Sequence, residues 1–239
     1  MNVTTELVDR GPLRCKLFVP AGAARHPAVL VYPDIFQLTA PHQRLCTRLA
    51  AHGFLVIAPE LYGRYQPRGT ALRFEEDRQR ALDASLRLQL DWFEEDLTSA
   101  IGIAASHSRA APGPIFAVGF CIGGHLAFRA ALRPELAATA CFYPTGLHTD
   151  TVGAALGTAR SLAEAARIRG RLMLVWGTRD PHIPADGRAK IHAALAAAGL
   201  GADVHHFDAE HTFVRDEGAR WEPAAADEAF RRLLHFLRG

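Results

Sequence analysis

"GFCIGGHLAF", residues 119–128, is the stretch whose reading decides the fold. The apolar run Ile115-Phe116-Ala117-Val118 leads into it, and His125 to Leu132 beyond it reads as helix. A buried strand that passes through a glycine-framed turn into a helix is a unit of an α/β sheet. Cys121 stands at the apex of that turn. A turn this tight strains the apex backbone, and small neighbours two before and two after, Gly119 and Gly123, avoid the clash. The turn also aims the thiol at the positive end of the following helix, which favours a thiolate. The amide of Ile122 is then free to donate to a developing oxyanion. A buried structural cysteine is the bland alternative, and it is the reading for Cys46, in an apolar helix, and Cys141, in a strand.

Outward from this turn the pattern alternates. Apolar β-type runs occur at Leu13–Val19, Ala28–Tyr32, Phe54–Ala58, Ile115–Phe120, Ala137–Tyr143, Arg171–Trp176 and Val204–Phe207. Helical stretches occupy Pro41–His52, Phe74–Ser106, Gly123–Leu132, Pro184–Ala198 and Pro223–Leu237. The middle runs are continuous rather than alternating, as in parallel strands buried on both faces. The segments on either side of Gly11-Pro12 predict an antiparallel hairpin at the edge. The Ala-rich segments 154–166 and 193–198 read as helix or helix-flanking loop. No repeat or linker interrupts the chain, so residues 1–239 are expected to form one α/β domain, a mainly parallel sheet with helices on both faces.

Composition narrows the function. The 239 residues are 49% hydrophobic and 22% charged, with a formal net charge of +2. Near balance gives no reason to expect nucleic acid or an anionic membrane as a partner. The opening "MNVTTELVDRG" lacks a basic stretch followed by an apolar core, so no signal peptide is expected. No window approaches the roughly 20 apolar residues of a membrane span. The four cysteines show no paired spacing, which predicts free thiols in a reducing, cytoplasmic compartment.

Ligands of such sheets bind beyond the carboxyl ends of the strands. Asp34 follows Ala28–Tyr32, Cys121 follows Ile115–Phe120, Asp180 follows Arg171–Trp176, and His211 follows Val204–Phe207. Nucleophile, acid and histidine in that chain order, each past a different strand, is the order of an α/β-hydrolase triad. Asp180 orients His211 in this reading; it is otherwise a turn residue before proline, and His211 a solvated loop residue. Asp186 is the rival acid, read as a first-turn residue that favours the helix dipole. "HHFDAEH", 205–211, also reads as a metal cluster. His205 and His206 lie in a strand and point to opposite faces, so no metal is expected.

These residues resemble the dienelactone hydrolase (carboxymethylenebutenolidase) family of the α/β-hydrolase fold. The carrying segments are "PDIFQLTAPHQRLCTRLAAHGFLVIAPELYGR" at 33–64, "VGFCIGGHLAF" at 118–128, "WGTRDPHIP" at 176–184 and "AEHTFVR" at 209–215. The resemblance implies a Cys121–His211–Asp180 triad, an oxyanion hole from the amides of Ile35 and Ile122, and no cofactor. It also implies that the carboxylate at position 34 contacts and arms the resting thiol. That carboxylate is usually glutamate; here it is Asp34, and Gln37 stands where glycine is usual. Arg80 and Arg215 match the two arginines that hold a substrate carboxylate, while the accompanying tyrosine is Ala84. Phe36, Tyr143 and Trp176 are candidate pocket walls, with core packing the alternative for the last two. Glu60 reads as a structural acid that ties loops together. A small-molecule ester or lactone is the expected partner. A non-catalytic small-molecule binder and a promiscuous aryl-esterase of the same fold are the other readings.

Overall fold

The uninterrupted apolar runs form the middle of an eight-stranded sheet in the computed structural model, which describes residues 2–153 and 159–239. The strands are β1 (Val3–Arg10), β2 (Leu13–Pro20), β3 (His26–Tyr32), β4 (Leu55–Pro59), β5 (Ala110–Phe120), β6 (Leu136–Phe142), β7 (Arg171–Gly177) and β8 (Asp203–Phe207). Their order is β1-β2-β4-β3-β5-β6-β7-β8. β1 and β2 form the expected antiparallel hairpin, and β2 also runs antiparallel to β4. Every other neighbouring pair is parallel. The parallel strands need crossovers; α-helices supply them except between β6 and β7, where the described residues carry a single 3₁₀ turn. β4 and the ends of β3, β5, β6 and β7 nearest the loops are buried throughout, whereas the edge strand β8 is half-buried.

The helices are α1 (Ala40–Ala51), α2 (Arg78–Leu86), α3 (Leu90–Ser106), α4 (Ile122–Ala130), α5 (Ala185–Ala197) and α6 (Pro223–Arg238). Proline in the first turn starts α1 and α6, where its missing N–H has no intrahelical acceptor to lose. α6 buries Phe230, Leu233, Leu234 and Leu237 on one stripe and turns Arg231 and Arg232 to Glu228 on the other. Alternation along β5 separates the two layers. Phe120 packs edge-on against His42 of α1, while the adjacent Gly119 faces α4. α6 lies beside α1, where Arg48 stacks on Phe230 and pairs with Asp227. α3 joins α4 on the opposite face through Arg129 and Glu94.

Two expectations change. The helical stretch 74–106 is two helices, starting at Arg78 and broken at Arg87–Gln89. No glycine or proline marks the break. Leu88 turns into the core at 4% exposure, and the backbone of Gly153 packs directly on its carbonyl. Tertiary packing overrides a helix-permissive sequence there. In the Ala-rich segment 154–166, residues 154–158 lie outside the described part, and a single 3₁₀ turn spans Ala165–Arg167. Residues 193–197 belong to α5. Among the described residues no helix is long and apolar enough to cross a membrane.

Candidate active site

The C-terminal ends of β3, β5, β6, β7 and β8 lie along one edge of the sheet, and the loops leaving them carry the polar groups. Cys121 occupies the single position between β5 and α4, at φ 59° and ψ −124°. That is a costly backbone conformation for a residue with a side chain. Four backbone hydrogen bonds hold it: Cys121 N–H donates to Phe142 O (3.1 Å), and Cys121 O accepts from the amides of Gly124 (2.9 Å), Thr145 (3.1 Å) and His125 (3.4 Å). The flanking glycines make room. A Cβ on Gly119 would overlap the Gly123 carbonyl, and one on Gly123 would overlap the carbonyls of Tyr32 and Pro33. The Ile122 amide opens α4, where N–H groups lack intrahelical acceptors.

His211, 3% exposed, hangs over Cys121 from the loop after β8. Its Nδ1 lies 2.7 Å from Asp180 Oδ2, and the other oxygen, Oδ1, accepts the His182 amide at 2.8 Å. Its Nε2 faces the thiol directly, and the Thr145 hydroxyl lies beside the pair, 3.3 Å from Cys121 Sγ and 3.5 Å from Nε2. Burial works against a charged His211. The charge of a Cys121 thiolate, the hydrogen bonds to Asp180 and Cys121, and the Asp180 charge outweigh it and raise the imidazole to about 9. Burial likewise opposes the charge of Asp180, but the hydrogen bond and charge of His211 hold its carboxyl below the usual range. The His182 ring sits edge-on to His211 at 4.7 Å; burial and the His211 charge lower its pKa, keeping it neutral. This arrangement aligns a thiol, an imidazole that carries a proton near neutrality, and a carboxylate that orients it, the groups that nucleophilic catalysis requires.

The other expected residues divide. Asp34 is 2% exposed. Its Oδ1 accepts the Phe36 amide at 2.8 Å and its Oδ2 lies 3.8 Å from Arg215 Nη1. Among the described residues the Asp34 carboxylate makes no hydrogen bond to the thiol; its partners are the Phe36 amide and Arg215. The bond to Phe36 closes the turn that presents the Ile35 amide. Arg215 stacks on Phe74 at 3.7 Å and lies over Phe36 at 5.7 Å. Tyr143, at φ 36°, sets its ring edge-on to His211 at 4.9 Å.

Arg80 and Trp176 lie elsewhere. α2 turns Ala81, Ala84 and Ser85 inward, which leaves Arg80 on the outer side, 57% exposed and 3.9 Å from Asp77. At the position of the missing tyrosine, Ala84 is buried and its carbonyl accepts the Tyr65 hydroxyl at 2.8 Å. Trp176 packs against His192 of α5. Asp186 accepts its neighbouring Gly187 amide and Glu60 accepts the Gly69 amide, both local structural roles. His205 pairs with Asp203 and Arg232, and no metal-binding cluster occurs among the described residues. Cys15 and Cys46 are pushed up to about 12 by burial, and Cys141 is raised further by the same cause. Thr145, His182 and Phe74 were not singled out from the sequence. Thr145 alone carried a usable signal, its position directly past a strand end. A separate cavity of about 180 Å³ opens between α1 and α6, walled by Phe120, Phe142, Trp221 and Phe230; neither Cys121 nor His211 lines it.

A parallel-core sheet with a strained elbow between strand and helix, and a histidine and an acid past later strands, defines an α/β-hydrolase. Comparison with known proteins narrows this. The model of the "Dienelactone hydrolase family" matches residues 13–239. A "Putative carboxymethylenebutenolidase" of Saccharomyces cerevisiae is 30% identical over 81% of this chain and 72% of its own. The carboxymethylenebutenolidase of Pseudomonas putida is 28% identical over 88% of this chain and 85% of its own. A solved structure from Klebsiella pneumoniae, "Putative Dienelactone Hydrolase", superposes with a TM-score of 0.78 at 23% identity, covering 100% of this chain and 99% of that one. The chain belongs to the dienelactone hydrolase family and is a hydrolase of the carboxylic ester and lactone class.

Proposed function

We propose that this hydrolase cleaves lactones or small carboxylic esters through a thioester on Cys121. The observation that carries the reading is the buried line Asp180–His211–Cys121, with His211 held 2.7 Å from Asp180. The Cys121 thiolate attacks the ester carbonyl. The amides of Ile35 and Ile122 receive the oxyanion. Collapse expels the alkoxide, or the enolate of an enol lactone, which takes the Nε2 proton of His211. Neutral His211 then accepts a proton from water as that water attacks the thioester. The acid departs, and thiolate and imidazolium are restored. Asp180 keeps the imidazole in the tautomer this requires.

Asp34 serves the site by closing the turn that carries Ile35 and by pairing Arg215. A substrate carboxylate at Arg215 competes for that pair and releases Asp34 towards the thiol. Phe36, Phe74 and Tyr143 supply apolar walls around this point. Arg80 contributes at most a distant charge. The exposed Arg80 and the absent tyrosine at Ala84 favour a range extending to neutral aryl esters and lactones. No step calls for a cofactor, and four free thiols suit a reducing compartment such as the cytoplasm. Cys121→Ala is expected to abolish turnover of aryl ester and lactone alike; undiminished turnover in a clean preparation sinks the reading. Dienelactone, a neutral lactone and an aryl ester, assayed in parallel, then show whether a carboxylate is required.

A further inference from the structure

We propose that Thr145 is a positioning residue whose hydroxyl bridges the Cys121 thiolate and the His211 imidazolium. The inference rests on the reading of Cys121 as nucleophile. The Thr145 hydroxyl has three partners within reach: Cys121 Sγ at 3.3 Å, His211 Nε2 at 3.5 Å and the Tyr143 carbonyl at 3.5 Å. It carries one proton and two lone pairs. A thiolate only accepts, and an imidazolium Nε2–H only donates. One assignment serves both beside the direct His211–Cys121 contact: Oγ1–H donates to Sγ, and Nε2–H is shared between Sγ and Oγ1. Sulfur accepts hydrogen bonds at longer range than oxygen, so the contact at 3.3 Å is the closest of the three in chemical terms, and the Tyr143 carbonyl is the weakest competitor.

The backbone fixes this placement. Thr145 N–H donates to Cys121 O at 3.1 Å, so the same turn that strains Cys121 sets the height of the hydroxyl above it. Tyr143, two residues earlier, adopts a positive φ of 36°, and the chain bends there to bring Thr145 over the elbow. A β-branched side chain has few rotamers to choose from, so its hydroxyl stays where the backbone puts it. In the cycle above, Sγ leaves this hydrogen bond when it attacks and regains it when the thioester collapses. The hydroxyl moves no proton in either step; it orients the thiolate at rest and stabilises it as a leaving group.

The test is the rate of Cys121 carbamidomethylation by iodoacetamide at neutral pH, read by peptide mass, alongside kcat and KM for an aryl ester. Cys15, Cys46 and Cys141 are buried and serve as internal blanks. In Thr145→Val the thiolate loses a charge-assisted hydrogen bond: kcat falls about tenfold with KM little changed, because the departing thiolate is less stabilised, and alkylation, which no longer breaks that bond, departs from the native rate. Thr145→Ala is expected to match it, which protects the result against misfolding of the valine variant. Thr145→Ser restores the hydroxyl and stays within about twofold of the native rate. Native alkylation and kcat in both hydroxyl-free variants overturn the proposal. So does a serine variant as slow as valine, since shape rather than hydrogen bonding would then be at work. Full activity in Cys121→Ala removes the nucleophile reading itself; an inactive Cys121→Ala beside a native-like Thr145→Val removes only the bridge.

Discussion

At the scale of single residues, His211 carries a charge that depends on its neighbours. Burial alone would make it neutral; the Cys121 thiolate and Asp180 keep it protonated to about pH 9. Its folded pKa lies above the ordinary histidine value. The stability this contributes is therefore fully present below about pH 6.5 and lost as pH rises through about 9. Activity on alkyl esters, whose leaving group needs the Nε2 proton, is expected to decline across the same upper limb. Cys121→Ser removes the thiolate charge, so the His211 titration followed by NMR moves down towards its ordinary value; an unmoved titration shows that Asp180 alone sustains the charge. Asp180→Asn keeps the side-chain shape but misorients the imidazole. It lowers kcat by about 10³–10⁴-fold with a smaller effect on KM, measured on the ester that the native enzyme turns over best.

Elements carry the geometry, and the elbow shows how. β5 and α4 approach so closely that Gly123 has backbone carbonyls of Tyr32 and Pro33 where a methyl would go. Carbonyls of a central strand end cannot give way. Gly123→Ala is expected to cost about 3 kcal/mol in urea unfolding, the upper end of overpacking. Gly102, inside α3, makes the contrast: a Cβ there meets only the guanidinium of Arg10, the far end of a flexible side chain. Gly102→Ala is expected to be neutral or to stabilise by up to about 1 kcal/mol. Such elements were largely legible. Continuous apolar runs flanked by prolines and glycines place β3 to β7 and α1 and α6 within a few residues, since burial on both faces leaves that pattern and no other. The break at Leu88 was not legible, because it comes from the backbone of Gly153 packing on a carbonyl some 65 residues earlier in the chain. Arg80 was misplaced for a related reason: its helix was legible, but which face of α2 meets the protein is fixed by Ala81 and Ala84.

The whole molecule assembles the site from loops that only the sheet brings together. Residues past strand ends could be named from chain order, so Cys121, Asp180 and His211 were within reach of the sequence. Contacts between loops were not, and Asp34 with Arg215 is the clearest case: 181 positions separate two side chains that lie 3.8 Å apart over the same edge. Asp34 is 2% exposed, so removing its partner leaves a buried carboxylate with one hydrogen bond, from the Phe36 amide. Each single change therefore carries a desolvation cost that the double change avoids. Arg215→Gln and Asp34→Asn are each expected to lower the unfolding free energy by about 1–2 kcal/mol, and the double variant by clearly less than their sum. Additive losses in urea unfolding show the two groups to be independent. The same variants separate structure from catalysis. If Asp34 works by holding the 34–36 turn, Asp34→Asn retains much of the kcat, because the amide oxygen still accepts from Phe36. If it works by its charge near the thiol, kcat falls about tenfold or more while stability changes as in the cycle. Arg215→Gln raises KM for a carboxylated lactone and leaves KM for a neutral aryl ester unchanged only if Arg215 meets substrate, so equal rises for both substrates assign it to the fold.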